Sequence, residues 1–465
     1  MTLDPVPALN VDPLIDDPTT RIIVCCGAGG VGKTTTAAAL GLRAAERGRK
    51  VVVLTIDPAR RLAQSMGIDS LDNIPRRVKD LDGDGAGELH AMMLDMKRTF
   101  DEIVEAHADP ERAEAILNNP FYQSLSAGFA GTQEYMAMEK LGQLRARDEW
   151  DLIIVDTPPS RSALDFLDAP KNLGSFLDGK FIRVLMAPAK VGGRAGMKFL
   201  NVGMSVMTGT LGKLLGGQFL KDVQTFVAAM DTMFGGFRTR ADATYQLLQA
   251  PGTAFLVVAA PERDALREAA YFVERLAAEE MPLAGLVLNR VHGSGAARLS
   301  AERALAAAEN LAEPRIVDQD GGKEEREQGQ LPDSPDSPDS TADAADTADT
   351  ASTVSAASSG STASSGSTAS SGSGRPDARV SADSSADTSA DTSGAQQLAA
   401  GLLRLHAERM QLLAREQRTR DRFTALHPEV PVTEVAALPG DVHDLAGLRD
   451  IGDRLASGDR PAGAA

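Results

Sequence analysis

The chain has 465 residues, a length that allows two or three domains or one large α/β unit. Its formal charge of −17 disfavours nucleic acid as a partner, because an acidic surface repels the phosphate backbone. Cys25 and Cys26 are its two cysteines, which excludes a disulfide framework and a CxxC metal pair built from this chain alone. We expect both to be small core residues of a reduced cytoplasmic protein.

The first 20 residues are predicted to be a flexible N-terminus. They are acidic and contain proline, and they lack the basic and apolar regions of a secretory signal. No segment of the chain offers about 18 apolar residues free of charges, so we expect no transmembrane segment. A cytoplasmic location is the resulting expectation.

In chain order, the first predicted strand is the β-branched apolar run at 21–26 (RIIVCC), of the type buried on both faces of a parallel sheet. The glycine-rich stretch GAGGVGKT follows, and then a good helix former that continues to near Gly48. Further strands are predicted at 51–56, 152–155, 254–259, 283–289 and 432–437. Helical patterns lie between them, as at 261–281, where Leu266, Ala270, Val273 and Ala277 share one face. This alternation predicts an α/β fold with a mainly parallel sheet flanked by helices.

Residues 168–249 depart from this pattern, because they are rich in glycine, methionine and phenylalanine. We predict a mostly helical subdomain embedded in the sheet domain. Its methionines could fill its core, or they could line an adaptable apolar groove for a hydrophobic client. The sequence leaves both interpretations open.

Residues 318–396 form a low-complexity tract of Ser, Ala, Thr, Asp and Gly with short repeats such as ASSGST. The tract carries 15 acidic and 4 basic residues, so it supplies −11 of the net charge of −17. Such a composition cannot bury enough apolar surface to offset the entropy of ordering, and it predicts a disordered acidic insertion in a helix connection. A spacer role is favoured over a regulatory one.

The stretch GAGGVGKT from Gly27 to Thr34 matches the phosphate-binding loop G-x-x-x-x-G-K-[ST]. Glycines allow backbone N–H groups to face phosphates, Lys33 supplies a positive charge and Thr34 offers a hydroxyl to Mg²⁺. The loop follows a predicted strand and opens a predicted helix, whose N-terminus adds partial positive charge. The sequence therefore predicts that ATP and Mg²⁺ bind here.

Two aspartates end predicted strands, and ligands bind at that edge of an open α/β sheet. Asp156 closes the strand at 152–155 and suits the carboxylate that holds Mg²⁺ through water. Asp57 closes the strand at 51–56 and could orient the attacking water. From spacing alone, Asp57 could equally be a helix cap or a turn residue before Pro58.

Four segments together resemble the arsenical pump-driving (ArsA-type) ATPases, a family that includes the ATPases that target tail-anchored membrane proteins. These segments are GGVGKTT (29–35), TIDPARRL (55–62), DTPPSRSALDFL (156–167) and VLNRV (287–291). The resemblance covers most of the chain outside the acidic insertion. It implies a P-loop ATPase that dimerises around nucleotide and carries its client or coupling subdomain at 168–249.

The resemblance also implies roles for single residues. Lys33 and Asp57 would be catalytic, and Asp57 would position the hydrolytic water. Asp156 would begin the second switch and would bind Mg²⁺ through water. Thr34 would be a direct ligand of the ion. Asn289 would read the adenine edge, and the loop around Pro439 would cover the base. The full set of nucleotide-binding residues is Gly27, Gly29, Gly30, Val31, Gly32, Lys33, Thr34, Thr35, Asn289 and Pro439.

The predicted organisation follows from the pattern and the resemblance together. It comprises a flexible N-terminus (1–20), the first part of the ATPase core (21–167), the helical client or coupling subdomain (168–249), the second part of the core (250–317), the disordered insertion (318–396), a C-terminal helix–strand–helix part of the core (397–457) and a tail (458–465).

Three positions depart from the family pattern. Ala28 stands where the family usually has a signature lysine that reaches the partner's phosphates across the dimer, so hydrolysis by a homodimer could be slow. The two cysteines do not support arsenite binding. Ser162 stands where relatives often have a histidine, which puts the coupling contacts of the second switch in doubt.

The leading hypothesis is an Mg²⁺-dependent ATPase whose dimer opens and closes with the nucleotide and acts on a hydrophobic client, a membrane protein or an anion transporter. One alternative is a slow or inactive nucleotide-dependent scaffold that forms a heterodimer with a paralogue bearing the signature lysine. The other alternative is a septum-site or plasmid-partition ATPase, a class that uses a basic DNA-binding face or a C-terminal basic amphipathic helix. We rank it third, because this sequence is acidic overall and its last residues, RLASGDRPAGAA, contain few apolar side chains.

Overall fold

The structure is a computed structural model that describes residues 7–56, 61–81, 87–125, 132–158, 226, 234–312 and 386–458. Its strands are β1 (Ile22–Cys26), β2 (Lys50–Thr55), β3 (Arg76–Arg77), β4 (Glu88–Met93), β5 (Leu152–Asp156), β6 (Thr253–Ala259), β7 (Leu283–Val291) and β8 (Val432–Ala436). Its helices are α1 (Val11–Asp16), α2 (Lys33–Glu46), α3 (Arg61–Ser65), α4 (Met96–His107), α5 (Pro110–Leu117), α6 (Pro120–Leu125), α7 (Thr132–Arg147), α8 (Phe234–Gln249), α9 (Arg263–Ala278), α10 (Ala301–Ala312), α11 (Ala386–Leu426) and α12 (Leu445–Ser457). None of these helices is long and apolar enough to cross a lipid bilayer.

In the described part of the chain, the strands form one sheet in the order β3-β4-β2-β5-β1-β6-β7-β8. All neighbours pair in parallel except β3, which runs antiparallel to β4. The predicted strands are found within two residues at either end. The predicted α/β fold with a mainly parallel sheet flanked by helices is therefore confirmed.

The central strand β1 is buried on both faces of the sheet. Val24 and Cys26 pack into one apolar core, which includes Phe272 of α9. Cys25 packs into a second core on the opposite face, with Leu40 of α2. Because side chains alternate along a strand, the two adjacent cysteines lie in different cores. Both are buried, as predicted.

The prediction of a flexible N-terminus over 1–20 is wrong for residues 7–20. Val11 and Ile15 of α1 are fully buried, and the Leu9 amide donates to the carbonyl of Val432, the first residue of β8. The side chain of Asp12 accepts two hydrogen bonds from the Arg43 guanidinium of α2, at 2.6 and 2.8 Å. The segment is held by residues distant in sequence, which its own acidic composition does not reveal.

The boundary of the predicted insertion at 318–396 also changes. Residues 318–385 lie outside the described residues, whereas 386–396 form the beginning of α11, which we predicted to start at Gln396. Residues 393–398 are all exposed, so among these six residues of the helix there is no buried apolar face that a sequence pattern could reveal. Most of the predicted subdomain at 168–249 also lies outside the described residues, and its last part, 234–249, is α8.

Two details of the helices and strands differ from the prediction. In α9 the buried face is centred on Phe272 and Leu276, while Ala277 is exposed, because the larger apolar side chains decide which face packs on the sheet. Strand β4 was not predicted, since its sequence, ELHAMM, contains no β-branched residue. It pairs in parallel with β2 nonetheless.

Candidate functional site

The glycine loop joins the end of β1 to the first turn of α2. Gly27, Gly30 and Gly32 all have positive φ angles, of 149°, 76° and 97°. Gly32 is the N-cap of α2 in the left-handed region, so the helix starts at Lys33 with its N-terminal amides facing the loop. The loop therefore presents backbone N–H groups and the positive end of a helix dipole at the carboxyl edge of the sheet, an arrangement suited to phosphates.

The loop also lies very close to neighbouring elements at two glycines. A Cβ at Gly27 would lie 2.0 Å from the backbone oxygen of Val258 in β6, and one at Gly32 would lie 2.2 Å from Nδ2 of Asn289. At Gly30 a Cβ would meet no atom within 4 Å. At Gly27 and Gly32, therefore, any larger residue would clash with β6 or with Asn289 of β7 and push the loop away from the sheet.

We expect Gly27→Ala to lower the free energy of unfolding by about 3 kcal/mol or more, because it combines a strained φ with a backbone clash. Gly30→Ala serves as the control and should cost about 1 to 2 kcal/mol, since it adds strain at positive φ without a clash. Urea-induced unfolding of both variants measures the difference. Equal destabilisation would show that contact with β6 does not constrain the loop.

Lys33 is buried at the beginning of α2, with 5% of its surface exposed. Its ammonium nitrogen Nζ donates to the carbonyl oxygens of Gly27 and Ala28, at 3.0 and 2.8 Å. These contacts hold the side chain across the loop. A positive charge is thereby placed among the backbone amides that would face the phosphates.

The carboxylate of Asp156 lies at the C-terminal end of β5 and is fully buried. Its Oδ2 accepts hydrogen bonds from the hydroxyl of Thr34 on α2, at 2.7 Å, and from the hydroxyl of Thr55 on β2, at 2.9 Å. The structure therefore brings together the two predicted magnesium-binding residues, which are 122 positions apart. Thr55 was not predicted, although it stands two residues before Asp57 in the strand-end motif.

The donor set at this point fits Mg²⁺. Magnesium prefers oxygen ligands, keeps several waters and is bound by one or two protein groups together with substrate phosphates. The Thr34 hydroxyl and the Asp156 carboxylate are both oxygen donors, and they lie beside the loop that carries Lys33. Thr34 could bind the ion directly, with Asp156 acting through water.

Asp57 lies outside the described residues, but the residue before it is fixed in the site. The Ile56 amide donates to the backbone oxygen of Asp156, at 2.9 Å. The Ile56 oxygen in turn accepts from Nε2 of Gln133 on α7, at 2.9 Å. The end of β2, which directly precedes Asp57 in the sequence, therefore lies next to Asp156. Ser162, in the second predicted switch, also lies outside the described residues.

Asn289 ends the regular part of β7 and contacts the loop from the other side. It is 7% exposed, and its Nδ2 donates to the Val31 oxygen at 2.8 Å. Its Oδ1 accepts from the Arg290 amide at 2.9 Å, and an amide oxygen can accept a second hydrogen bond. Asn289 is thus tied to the phosphate loop and keeps acceptor capacity for a ligand.

A cleft of about 650 Å³ opens beside Asn289, within the size range of small-ligand sites. Its walls come from the loop and α2, from the ends of β6, β7 and β8, and from α11. They include Gly32, Thr35, Asn289, His292, Glu416 and Pro439. The structure therefore places Thr35, Asn289 and Pro439 around one cleft next to the loop, as required if they bind a nucleotide. His292 and Glu416 were not singled out from the sequence.

The two cysteines give this site no reactive thiol. Burial raises the pKa of Cys26 to about 12, and burial, with the nearby Asp156 carboxylate, raises the pKa of Cys25 well above its ordinary value. A thiol is nucleophilic and binds soft metals as the thiolate, a form that these pKa values disfavour. Both side chains are therefore packing residues of β1.

Comparison with known proteins adds independent information. Residues 20–303 match the sequence model of a family described as anion-transporting ATPase. The match covers more than half of the chain and includes the loop, Asp156 and Asn289. Glu416 and Pro439 lie beyond it.

Several curated proteins are similar to this chain. "ATPase GET3" of Podospora anserina is 27% identical over 60% of this chain and 75% of its own length. "ATPase get3" of Schizosaccharomyces pombe is 26% identical over 63% of this chain and 79% of its own length. "ATPase GET3" of Malassezia globosa is 28% identical over 37% of this chain, and the match spans about half (49%) of that relative.

Proposed function

Because the chain belongs to the anion-transporting ATPase family, we propose that it hydrolyses ATP with Mg²⁺ at the loop between β1 and α2. Hydrolysis would open and close a dimer and act on a hydrophobic or membrane-protein client or an anion transporter. The observation that carries the catalytic part of this proposal is the convergence of Lys33, Thr34 and Asp156 at one edge of the sheet.

Each residue contributes positioning or charge, which is what phosphoryl transfer to water requires. Lys33 and the loop amides would hold the phosphates, and Thr34 and Asp156 would hold Mg²⁺. The bound ion would neutralise charge that develops on the phosphate oxygens. Asp57 would orient the attacking water, and the cleft beside Asn289 would take the adenine.

Contacts of α7 support a link between this site and the predicted client subdomain. At one end, Gln133 bonds the Ile56 oxygen, next to Asp57. Further along, the buried carboxylate of Glu139 accepts from Arg240 of α8 at 2.7 Å, and α8 is the last helix of the segment 168–249. This ion pair, in which Glu139 is buried and Arg240 is partly exposed, joins α7 to α8. A movement at Asp57 could therefore reach the subdomain.

Ala28 supports a second candidate function besides ATP hydrolysis by this chain alone. Without the signature lysine the chain could act as a slow or inactive scaffold in a heterodimer with a lysine-bearing paralogue. Both functions require ATP binding, and they differ in how fast the chain alone turns ATP over.

Replacing Lys33 with methionine tests the proposed ATP site. We expect ATP affinity in the presence of Mg²⁺ to fall about 10- to 100-fold, the effect of losing hydrogen bonds from a charged donor, and turnover to be lost. Methionine keeps an unbranched apolar stem and removes the charge together with the hydrogen-bond donors of the ammonium group. Titration calorimetry measures the affinity, with Lys79→Met, at an exposed position, as the control. Unchanged affinity and turnover in Lys33→Met would refute the proposed site.

A further inference from the structure

Helix α11 contacts the segment that follows β7 through polar side chains. His406 Nε2 lies 2.8 Å from the Leu299 oxygen, and the Arg409 guanidinium donates to the Gly293 oxygen at 3.2 and 3.3 Å. Glu416 contacts His292 through both carboxylate oxygens. The helix that follows the acidic insertion in sequence therefore holds the backbone immediately after Asn289.

The contact between Glu416 and His292 is the most buried of these. Oε2 of Glu416 accepts from the His292 amide at 3.1 Å, and Oε1 lies 2.5 Å from its Nδ1. Glu416 is only 8% exposed. A carboxylate in such a place loses hydration, and it is tolerated because both of its oxygens are hydrogen-bonded. The pair therefore fixes the position of His292 relative to α11.

The strand end between Asn289 and His292 has an irregular backbone that needs such support. The pairing of β7 with β8 shifts register between Leu288 and Val291, and Arg290 adopts a positive φ of 61°. A non-glycine residue in the left-handed region carries strain, which persists only where the surroundings hold it. Asn289 lies inside this stretch and reaches Val31 of the phosphate loop.

We propose that the Glu416–His292 pair positions the base end of the nucleotide site by holding the strand end that carries Asn289. Both residues also line the cleft that contains Asn289 and Pro439. The inference rests on the proposed ATP binding, and it adds positioning residues, one of which lies outside the family match at 20–303. Adenine recognition then depends on α11 as well as on the strands of the sheet.

The test compares a ligand that has a base with one that lacks it. Binding of ATP and of inorganic tripolyphosphate is titrated in Mg²⁺ with the full chain and with Glu416→Ala. We expect the affinity for ATP to fall about tenfold, which corresponds to about 1.4 kcal/mol, while the affinity for tripolyphosphate stays the same. A general loss of structure would weaken both ligands.

Further variants separate positioning from folding. Glu416→Gln keeps a carbonyl acceptor for the His292 amide and should bind ATP nearly as well as the parent. His292→Ala removes the side-chain contact alone and should selectively weaken ATP by a smaller factor. Glu408→Ala, at an exposed position of the same helix, is the control and should change neither affinity.

Two results would overturn the inference while leaving ATP binding intact. One is an unchanged affinity for ATP in Glu416→Ala, and the other is an equal loss for ATP and tripolyphosphate. Failure of the parent protein to bind either ligand would instead refute the proposed function, and this inference with it.

Discussion

Replacement of Asp57 by asparagine is expected to lower ATP turnover about 10²- to 10⁴-fold, the range for loss of a positioned acid or base, while ATP affinity changes little. Asparagine has nearly the same shape as aspartate but cannot accept a proton. Because the water is activated only in the chemical step, the loss should appear in kcat and not in nucleotide binding.

The two residues before Asp57 both contact Asp156. Thr55, two residues earlier, donates to the Asp156 carboxylate, and the Ile56 amide bonds the Asp156 backbone. The end of β2 is therefore joined to the residue proposed to hold Mg²⁺. Asp57, the residue proposed to orient the attacking water, follows this strand end directly in the sequence.

Asp69→Asn is the matched control, because Asp69 is exposed and should not affect turnover. Single-turnover hydrolysis with saturating ATP and Mg²⁺ measures the chemical step. Asp57→Asn, trapped with ATP, should also accumulate any ATP-dependent dimer, which light scattering would detect. Normal turnover by Asp57→Asn would remove this residue from the mechanism, whatever its effect on assembly.

The part of the site that the sequence predicts best is local. The strand, the glycines, Lys33 and the helix are contiguous, so the short motif specifies both the conformation of the loop and its chemistry. Asp156 was predictable because parallel strands end at the same edge of a sheet, even when many residues separate them. Its hydrogen bond from Thr34 agrees with that reasoning.

The base end of the site was harder to predict because its contacts are distant in sequence. Asn289 was identified through a family resemblance, and spacing alone would not have selected it. His292 and Glu416 are 124 positions apart, with the acidic insertion between them, and each alone resembles an ordinary strand-end or helix residue. The prediction for the N-terminal segment failed for the same reason, because this segment is held by Arg43 of α2 and by the backbone of β8.

Replacement of Ala28 by lysine is expected to raise ATP turnover about 10³-fold or more if this chain forms a homodimer in which the lysine can reach the partner's phosphates. Ala28 is the second residue of the loop, and its backbone oxygen already accepts from Lys33. A lysine here would extend from a buried position next to Gly29 and Gly30, which are exposed. Its long apolar stem allows the ammonium group to emerge while the backbone stays in place.

Ala28→Met separates charge from size, because methionine has a similar unbranched stem without the ammonium group. We expect the lysine variant to gain turnover with rising protein concentration, as more of it dimerises, and the methionine variant to stay at the parent level. Steady-state rates across a concentration series, together with sedimentation in ATP, test this. If Ala28→Lys changes neither turnover nor dimerisation, trans-stabilisation by position 28 is refuted. The hypothesis of a heterodimer that depends on a paralogue's lysine then loses its support, because the missing lysine would no longer explain slow hydrolysis.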